Sequence, residues 1–171
     1  MRADNFLIIG NSGSGKSTLA SKLKSLYALT HLDLDSIAWL PESPPRRTPF
    51  SHASAEISAF TNLCSSWVIE GCYRDLFDAI KTETAQLIFL DFSAQQCGDH
   101  ARMRPWEPHK YACKAAQDAN LAMLLDWIEG YYQREDVFSL AQHNEFYDSY
   151  KGPKQRFKGS PELNDWFAGL P

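Results

Sequence analysis

One nine-residue stretch constrains this chain more than any other, Gly10-Asn11-Ser12-Gly13-Ser14-Gly15-Lys16-Ser17-Thr18. An apolar run, Phe6-Leu7-Ile8-Ile9, precedes it, and Leu19, Leu23 and Leu26 follow it at helical spacing. The stretch has the spacing G-x-x-x-x-G-K-[ST] between a predicted strand and a predicted helix. Glycines at these positions let the backbone curl so that several N–H groups converge on one anion. The pattern therefore predicts a phosphate-binding loop.

Each residue type in this loop has a predicted task. The helix that follows directs the positive end of its dipole at the bound anion. Lys16 adds a mobile cation for the outer phosphates, and Ser17 offers a hydroxyl ligand to Mg²⁺. A glycine- and serine-rich turn that happens to precede a lysine is the plain alternative, but it does not account for the full spacing. We therefore predict that ATP or GTP, with Mg²⁺, is held by Gly10, Ser12, Gly13, Ser14, Gly15, Lys16, Ser17 and Thr18.

Apolar runs and helical patterns alternate along the rest of the chain. Strands are predicted at 5–9, 31–35, 67–69, 87–90 and 154–158. Helices are predicted at 16–27, 51–65, near Leu76, at 95–104, around 121–132, at 133–150 and from Ser160 onwards. Strands that alternate with helices after a phosphate loop predict a three-layer α/β fold with a central parallel sheet.

Local signals add detail to this outline. Prolines between Ile37 and Thr48 predict a loop that crosses the surface. Ser51 and Ser160 are expected to act as N-caps of the helices that follow them. Two helical stripes are predicted to be buried. They are Leu19, Leu23 and Leu26 in the first helix, and Leu121, Leu124, Leu125, Ile128 and Tyr132 in a later one.

Length, charge and cysteine usage limit the function classes. The chain has 171 residues and a formal net charge of −4, which fits one domain over 1–171 and argues against nucleic acid as a partner. The apolar runs are too short to span a membrane, and the first strand follows Met1 too closely for a signal peptide. The four scattered cysteines indicate reduced thiols rather than a zinc site or disulfides. We therefore expect a cytoplasmic monomer or homodimer.

Charged residues at the predicted strand and helix ends suggest further chemistry. Asp33 and Asp35 are two apart, so on a strand both carboxylates would project from one side of its C-terminal end, beside the phosphate loop. Alternatively, one of them N-caps the next helix. Arg102 and Arg104 precede the excursion 105–111, where they form either a catalytic lid or a solvated helix end.

Other side chains have open roles. Arg46 and Arg47 could hold an anionic acceptor, but arginines on a loop commonly face solvent. Trp39 and Trp106 could stack on an acceptor ring or pack in the core or the lid. His100, His109 and His143, three of the five histidines, lack metal-ligand spacing and are expected in the lid or on the surface.

In the order and spacing of its motifs, the chain resembles the small P-loop kinases. The features that carry the likeness are the phosphate loop, Asp33-Leu34-Asp35, Glu70-Gly71 and the arginine-bearing excursion after the fourth strand. The chain resembles the nucleoside-monophosphate kinase and shikimate kinase group, and more closely the adenylate-kinase-like proteins labelled topology modulation proteins. The resemblance covers nearly the whole chain. It implies an adenylate-kinase-like sheet of about five strands with an acceptor-binding segment at about 36–66 and a lid at about 103–114.

The resemblance also implies residue roles. Lys16 and Ser17 match the phosphate lysine and the magnesium hydroxyl, and Asp33 and Asp35 match an acidic pair that serves magnesium and acceptor. We assign Asp35 to the acceptor hydroxyl and Asp33 to the hydrated metal. Glu70 stands where adenylate kinases have an aspartate near the metal. The remaining matches are Arg102 and Arg104 in the lid, Arg134 at a second arginine site, and Ser160 where adenine packs.

Two functions of different classes fit these features. The first is a kinase that transfers the γ-phosphoryl group of ATP to a small-molecule acceptor, either a nucleotide or a hydroxy compound. The second is a nucleotide-dependent regulatory ATPase or switch that acts on a protein or nucleic acid. The acidic charge balance weighs against DNA as the partner. We therefore predict the kinase, with the switch as the alternative.

Overall fold

The computed structural model describes residues 5–42, 44–80, 84–108 and 111–171. Its strands are β1 (Asn5–Gly10), β2 (Thr30–Asp33), β3 (Trp39–Leu40), β4 (Arg46–Arg47), β5 (Trp67–Gly71), β6 (Gln86–Leu90) and β7 (Lys154–Phe157). Its helices are α1 (Lys16–Tyr27), α2 (Asp35–Ala38), α3 (Phe50–Leu63), α4 (Arg74–Phe77), α5 (Ala94–Arg102), α6 (Lys114–Ala119), α7 (Leu121–Gly130), α8 (Leu140–Ser149) and α9 (Ser160–Ala168).

A parallel sheet of five strands forms the centre of the fold, in the order β2-β5-β1-β6-β7. Helices cover both faces, so β1 is apolar on both sides and its Leu7, Ile8 and Ile9 are fully buried. Successive side chains enter opposite core layers, Leu7 and Ile9 on one face and Ile8 on the other. The predicted three-layer α/β fold with a parallel sheet is confirmed.

The phosphate loop and the end of β5 meet at one edge of this sheet. In the parallel pairing of β1 with β5, Ile9 is the register partner of Gly71. In the pairing of β2 with β5, Asp33 is the partner of Glu70. The carboxyl ends of three adjacent strands therefore open onto the same space, which is where ligands bind in open α/β sheets.

Several predicted element bounds were wrong. β2 ends at Asp33 and α2 begins at Asp35, because the Asp33 carboxylate accepts the Asp35 backbone N–H at 2.9 Å and turns the chain. The predicted surface loop contains a short antiparallel hairpin of β3 and β4. The predicted helix 133–150 begins only at Leu140, where the Ser139 side chain accepts the Gln142 backbone N–H. The predicted last strand is confirmed as β7.

Two predicted caps and two predicted buried residues were also wrong. The N-cap of α3 is Pro49 rather than Ser51, and the N-cap of α9 is Gly159 rather than Ser160. The side chain of Leu26 is 42% exposed, and that of Tyr132 is 43% exposed. Tyr132 leaves the helical stripe because α7 already ends at Gly130, and glycine is a poor helix former.

Along the described residues, no helix combines the length and the apolar character that crossing a bilayer requires.

The capping residues give a stability prediction. Ser93 caps α5 in a reciprocal capping box with Gln96, whereas Ser51 lies inside α3. Ser93→Ala should therefore lower the free energy of unfolding by about 1 kcal/mol, as the loss of an N-cap does. Ser51→Ala is the matched control and should leave the free energy of unfolding within about 0.5 kcal/mol of the parent. Urea unfolding of both variants checks this, and equal losses would contradict the assignment of the caps.

Candidate active site

The loop between β1 and α1 has the backbone that its glycines predict. Gly13 and Gly15 have φ angles of 76° and 92°, in the left-handed region that favours glycine. A Cβ atom at Gly13 would lie 2.3 Å from the carbonyl oxygen of Cys97 in α5. Glycine at position 13 is therefore required both by its backbone angles and by the close packing of α5.

Three hydrogen bonds hold the loop in place. The Asn11 side chain donates to the backbone carbonyl of Ile128 in α7 at 3.0 Å and accepts the Ser12 N–H at 2.8 Å. The Lys16 ammonium group donates to the Asn11 carbonyl at 2.9 Å. Sequence reasoning missed the anchoring role of Asn11, because its partner lies 117 residues away along the chain.

A cavity of about 670 Å³ opens beside this loop, within the usual size range of ligand sites. Its walls come from the phosphate loop and α1, the end of β5, the segment after α5, and α9. The predicted site residues that line it are Ser12, Gly13, Ser14, Gly15, Lys16, Ser17, Thr18, Asp35, Glu70, Arg104 and Ser160.

The other predicted site residues lie outside the cavity lining. Gly10 is the last residue of β1, and the Asp33 carboxylate is turned to the Asp35 N–H. Arg102 pairs with Asp99 at 3.1 Å on the exposed side of α5. The Arg134 guanidinium lies 3.6 Å from the ring centroid of Trp127 and donates to the Trp127 carbonyl. The structure therefore brings together the loop, Asp35, Glu70, Arg104 and Ser160.

The acidic pair does not have the predicted geometry. The expectation that Asp33 and Asp35 project from one side of a strand was wrong, because the strand ends between them. Asp35 accepts a hydrogen bond from the Tyr73 hydroxyl at 2.6 Å, and this hydroxyl accepts one from the Trp39 indole N–H at 2.7 Å. Burial, with Asp35 nearby, raises the pKa of Tyr73, so its phenol stays protonated and donates to the carboxylate.

Glu70 is one of the residues that line this cavity. Its side chain is almost fully buried, and its Oε1 atom has no hydrogen-bond partner among the described residues. An ionisable neighbour, His31, has its Nε2 atom 3.6 Å from that oxygen. Glu70 and Ser17 line the same cavity, and carboxylate and hydroxyl oxygens are ligands that Mg²⁺ accepts.

Within the described residues no group of three or more His, Cys, Asp and Glu side chains is placed to hold a metal by itself.

Two histidines lie in places that the sequence did not predict. His100 in α5 lines the cavity, and its Nδ1 lies 2.9 Å from the Gly13 carbonyl oxygen. A carbonyl only accepts, so His100 Nδ1 carries the proton of this hydrogen bond. The expectation that His143 lies in the lid or on the surface was wrong, since His143 is fully buried. His109 lies outside the described residues.

His143 connects α8 to the end of β5. Its Nε2 lies 2.9 Å from the Cys72 carbonyl oxygen, and its Nδ1 lies 2.7 Å from the Tyr131 hydroxyl. Since the carbonyl requires a donor, Nε2 is protonated and Nδ1 accepts from Tyr131. Burial lowers the pKa of His143 to about 3, so the imidazole stays neutral. Cys72 lines the cavity, and burial raises the pKa of its thiol to about 12.

The four side chains with open roles, Trp39, Trp106, Arg46 and Arg47, lie outside the cavity lining. Arg46 pairs with Glu42 at 3.0 Å, and Arg47 pairs with Asp75 at 2.9 Å. Trp39 donates to Tyr73, and Trp106 donates to the Tyr111 carbonyl at 3.1 Å.

No family model and no curated protein matches this sequence. Solved structures do match it. Deoxyadenosine kinase from M. mycoides with bound dATP has 10% identity and a TM-score of 0.54, over 96% of this chain and 97% of that chain. A sugar kinase from Janibacter sp. has 13% identity and a TM-score of 0.53, over 96% of this chain and 91% of that chain. Shikimate kinase from Acinetobacter baumannii in complex with shikimate has 13% identity and a TM-score of 0.53, over 96% of this chain and 88% of that chain.

At these identities the likeness shows the fold alone. The chain has the α/β fold of P-loop small-molecule kinases, with a central parallel sheet of five strands. The likeness does not confirm the finer resemblance to the topology modulation proteins.

His143 gives a prediction about acid stability. Its pKa is lowered on folding, so below about pH 6.5 the unfolded chain binds a proton that the native protein does not. The free energy of unfolding should fall by up to about 1.4 kcal/mol per pH unit between pH 6.5 and 3 from this group. His143→Gln keeps a donor and an acceptor but removes the titration, so its stability should depend less on pH.

Urea unfolding at about pH 7 and about pH 4.5, on either side of the ordinary histidine pKa, measures this difference. His52→Gln, at an exposed position in α3, is the control and should show the pH dependence of the parent. Parallel curves for the parent and His143→Gln would show that His143 does not stay neutral in the native protein.

Proposed function

We propose that this protein binds ATP with Mg²⁺ and transfers the γ-phosphoryl group to a small-molecule acceptor. One observation carries the proposal: a single cavity is lined both by the phosphate loop and by the Asp35 carboxylate. Phosphoryl transfer needs the triphosphate and the acceptor hydroxyl in one water-poor space, with a group that takes the hydroxyl proton. The kinase folds of the structural neighbours support this reaction class at the level of the fold.

The phosphate loop would bind the triphosphate through backbone N–H groups and the start of α1. Lys16 Nζ would exchange the Asn11 carbonyl for a phosphate oxygen. Ser14 also lines the cavity, and its buried hydroxyl has no hydrogen-bond partner in the described part of the chain. Leu163 and Phe167 of α9, beside Ser160, give the apolar wall that an adenine ring needs.

Ser17 and Glu70 would hold Mg²⁺, with Glu70 contacting it directly or through water. When bound, Mg²⁺ supplies positive charge that neutralises the phosphate oxygens. Asp33 would act on the metal through water, since it is the register partner of Glu70 in the neighbouring strand.

Asp35 would orient the acceptor hydroxyl and accept its proton. The hydrogen bond from Tyr73 fixes one carboxylate oxygen, and Trp39 fixes Tyr73 in turn. This arrangement holds the base in one orientation, which lowers the cost of aligning it with the acceptor. It favours phosphoryl transfer over the switch, because a switch has no need for an oriented base opposite the phosphate loop.

The arginines would neutralise charge on the moving phosphoryl group. Arg104 lines the cavity and pairs with Glu107 at 3.1 Å, so it would exchange that partner when the segment 103–114 closes as a lid. Arg102 and Arg134 would need larger movements, Arg102 from the exposed side of α5 and Arg134 from its contact with Trp127. The segment 36–66 would form the acceptor side of the cavity next to Asp35.

The proposal includes a cytoplasmic location and a monomer or homodimer. The location is inferred from the scattered spacing of the four cysteines in the sequence, which is typical of reduced thiols.

Replacement of the loop lysine tests nucleotide binding. Lys16→Met removes one charged donor to the phosphates, so the affinity for Mg-ATP should fall about 10- to 100-fold. Lys24→Met is the matched control, because Lys24 is an exposed lysine in the last turn of the same helix. Fluorescence titration with a labelled ATP analogue measures both variants. An unchanged affinity in Lys16→Met would contradict the proposed site.

Replacement of the two aspartates tests the proposed base. Asp35→Asn should lower kcat about 100- to 10,000-fold while the affinity for Mg-ATP stays near that of the parent. Asp33→Asn keeps the oxygen that accepts the Asp35 N–H and should retain most of the activity. ADP release in the presence of a mixed pool of nucleosides, nucleotides and sugars measures both variants. If Asp33→Asn lowered kcat more than Asp35→Asn, Asp33 would be the base and Asp35 the residue that serves the metal.

A further inference from the structure

His100 contacts the phosphate loop from a helix that is distant in the sequence. It lines the cavity, and its Nδ1 donates to the Gly13 carbonyl oxygen at 2.9 Å, across 87 residues of the chain. Its ring also makes an edge contact with the ring of Phe92, with the two centroids 6.1 Å apart. A hydrogen bond and a ring contact therefore hold this imidazole against the loop.

The helix that carries His100 is itself held close to the loop. The first turn of α5 has the reciprocal capping box of Ser93 and Gln96. Its Cys97 carbonyl oxygen would lie only 2.3 Å from a Cβ atom at Gly13, so backbone packing sets the distance between the helix and the loop. His100 lies one turn further along α5 and reaches the carbonyl oxygen of the same glycine. The fold therefore places the imidazole donor at this point of the loop.

The hydrogen bond from His100 fixes the second end of one peptide group. Residues 11–14 form a turn in which the Ser14 N–H donates to the Asn11 carbonyl oxygen at 3.2 Å. Gly13 is the third residue of this turn, and its φ of 76° is the positive angle that a type II turn requires there. The peptide group between Gly13 and Ser14 is thus bonded at its N–H to Asn11 and at its carbonyl oxygen to His100.

The orientation of this peptide group matters to an anion in the loop. Glycine at position 13 permits several backbone conformations, so the peptide group can rotate when its carbonyl oxygen has no partner. A carbonyl oxygen rotated towards a phosphate would oppose binding, because both carry negative charge. The donor of His100 keeps this oxygen bonded. The N–H groups that follow, up to the first turn of α1, then keep the direction in which they can meet one anion.

We propose that His100 is a positioning residue for the phosphate loop, and that its Nδ1–H raises the affinity of the loop for the triphosphate. The inference rests on the proposed binding of ATP at this loop. His100 acts by holding the peptide group between Gly13 and Ser14, which requires no contact between the imidazole and the nucleotide. With Nδ1 donating to the carbonyl, Nε2 of a neutral ring has no proton to offer to a phosphate.

Three substitutions of His100 separate the roles of its two ring nitrogens. His100→Leu removes both nitrogens. His100→Asn keeps an amide N–H at the position of Nδ1 along the side chain, and His100→Gln keeps one at the position of Nε2. The dissociation constant of Mg-ATP should rise about threefold to tenfold in His100→Leu and His100→Gln, as the loss of one hydrogen bond predicts, and stay within about twofold of the parent in His100→Asn. Fluorescence titration with a labelled ATP analogue measures all three variants.

His52→Leu is the matched control, because His52 is exposed in α3, and its affinity should equal that of the parent. An unchanged affinity in all three His100 variants would overturn the inference. Equal losses in all three would also overturn it, because they would assign the effect to packing of the ring. A loss in His100→Asn that His100→Gln does not share would overturn it in favour of a direct contact through Nε2. If His100→Leu does not fold, the comparison of His100→Asn with His100→Gln gives the same readout.

Inorganic tripolyphosphate shows where on the ligand the effect arises. This ligand has the phosphates without the nucleoside, so its affinity, measured with Mg²⁺ by displacement of the labelled analogue, should fall in His100→Gln by the same factor as that of Mg-ATP. An unchanged affinity for tripolyphosphate would place the effect at the nucleoside and overturn the inference. If the parent binds neither ligand, the proposed function fails and the inference fails with it. If the parent binds both with the expected dependence on Lys16 and the His100 variants match it, the inference alone fails.

Discussion

The contact between α5 and the phosphate loop is the constraint on which the rest of the site depends. The carbonyl oxygen of Cys97 occupies the space that a side chain at Gly13 would need, and His100 bonds to the Gly13 carbonyl from one turn further along α5. On another side, Asn11 is bonded to the last turn of α7. These contacts hold the curled backbone of the loop within the protein itself, so a bound anion would not have to order its N–H groups.

The same contact connects the phosphate loop to the segment that follows α5. His100 touches the loop, and Arg104 lies just beyond the end of the helix and lines the cavity. On the opposite side, Tyr131 and His143 support the Cys72 carbonyl, while Trp39 and Tyr73 support Asp35. Neutral hydrogen-bonded groups thus hold the charged groups in position around one cavity, which is a way to preorganise a site without adding charge to it.

Local patterns explain why much of the fold could be predicted from the sequence. The phosphate loop and β1 follow from glycine spacing and an apolar run. The exact end of β2 could not be predicted, because the Asp33 side chain turns the chain by bonding to the Asp35 N–H, where the alternation of residues would continue a strand. Partners that are distant in the sequence could not be predicted either. His143 forms a hydrogen bond with a carbonyl 71 residues away, and Arg47 forms one with Asp75 across 28 residues. Residue type predicts that these groups need partners, but only the fold shows which partners they have.

The central claim is that backbone N–H groups of residues 13–18 bind the triphosphate. The most direct test is a two-dimensional ¹⁵N–¹H NMR titration of the labelled protein with Mg-ATP. If backbone N–H groups of the loop bind the triphosphate, the largest amide shifts occur from Gly13 to Thr18. Shifts that leave these amides unchanged and appear elsewhere, or no shifts at millimolar Mg-ATP, would contradict it.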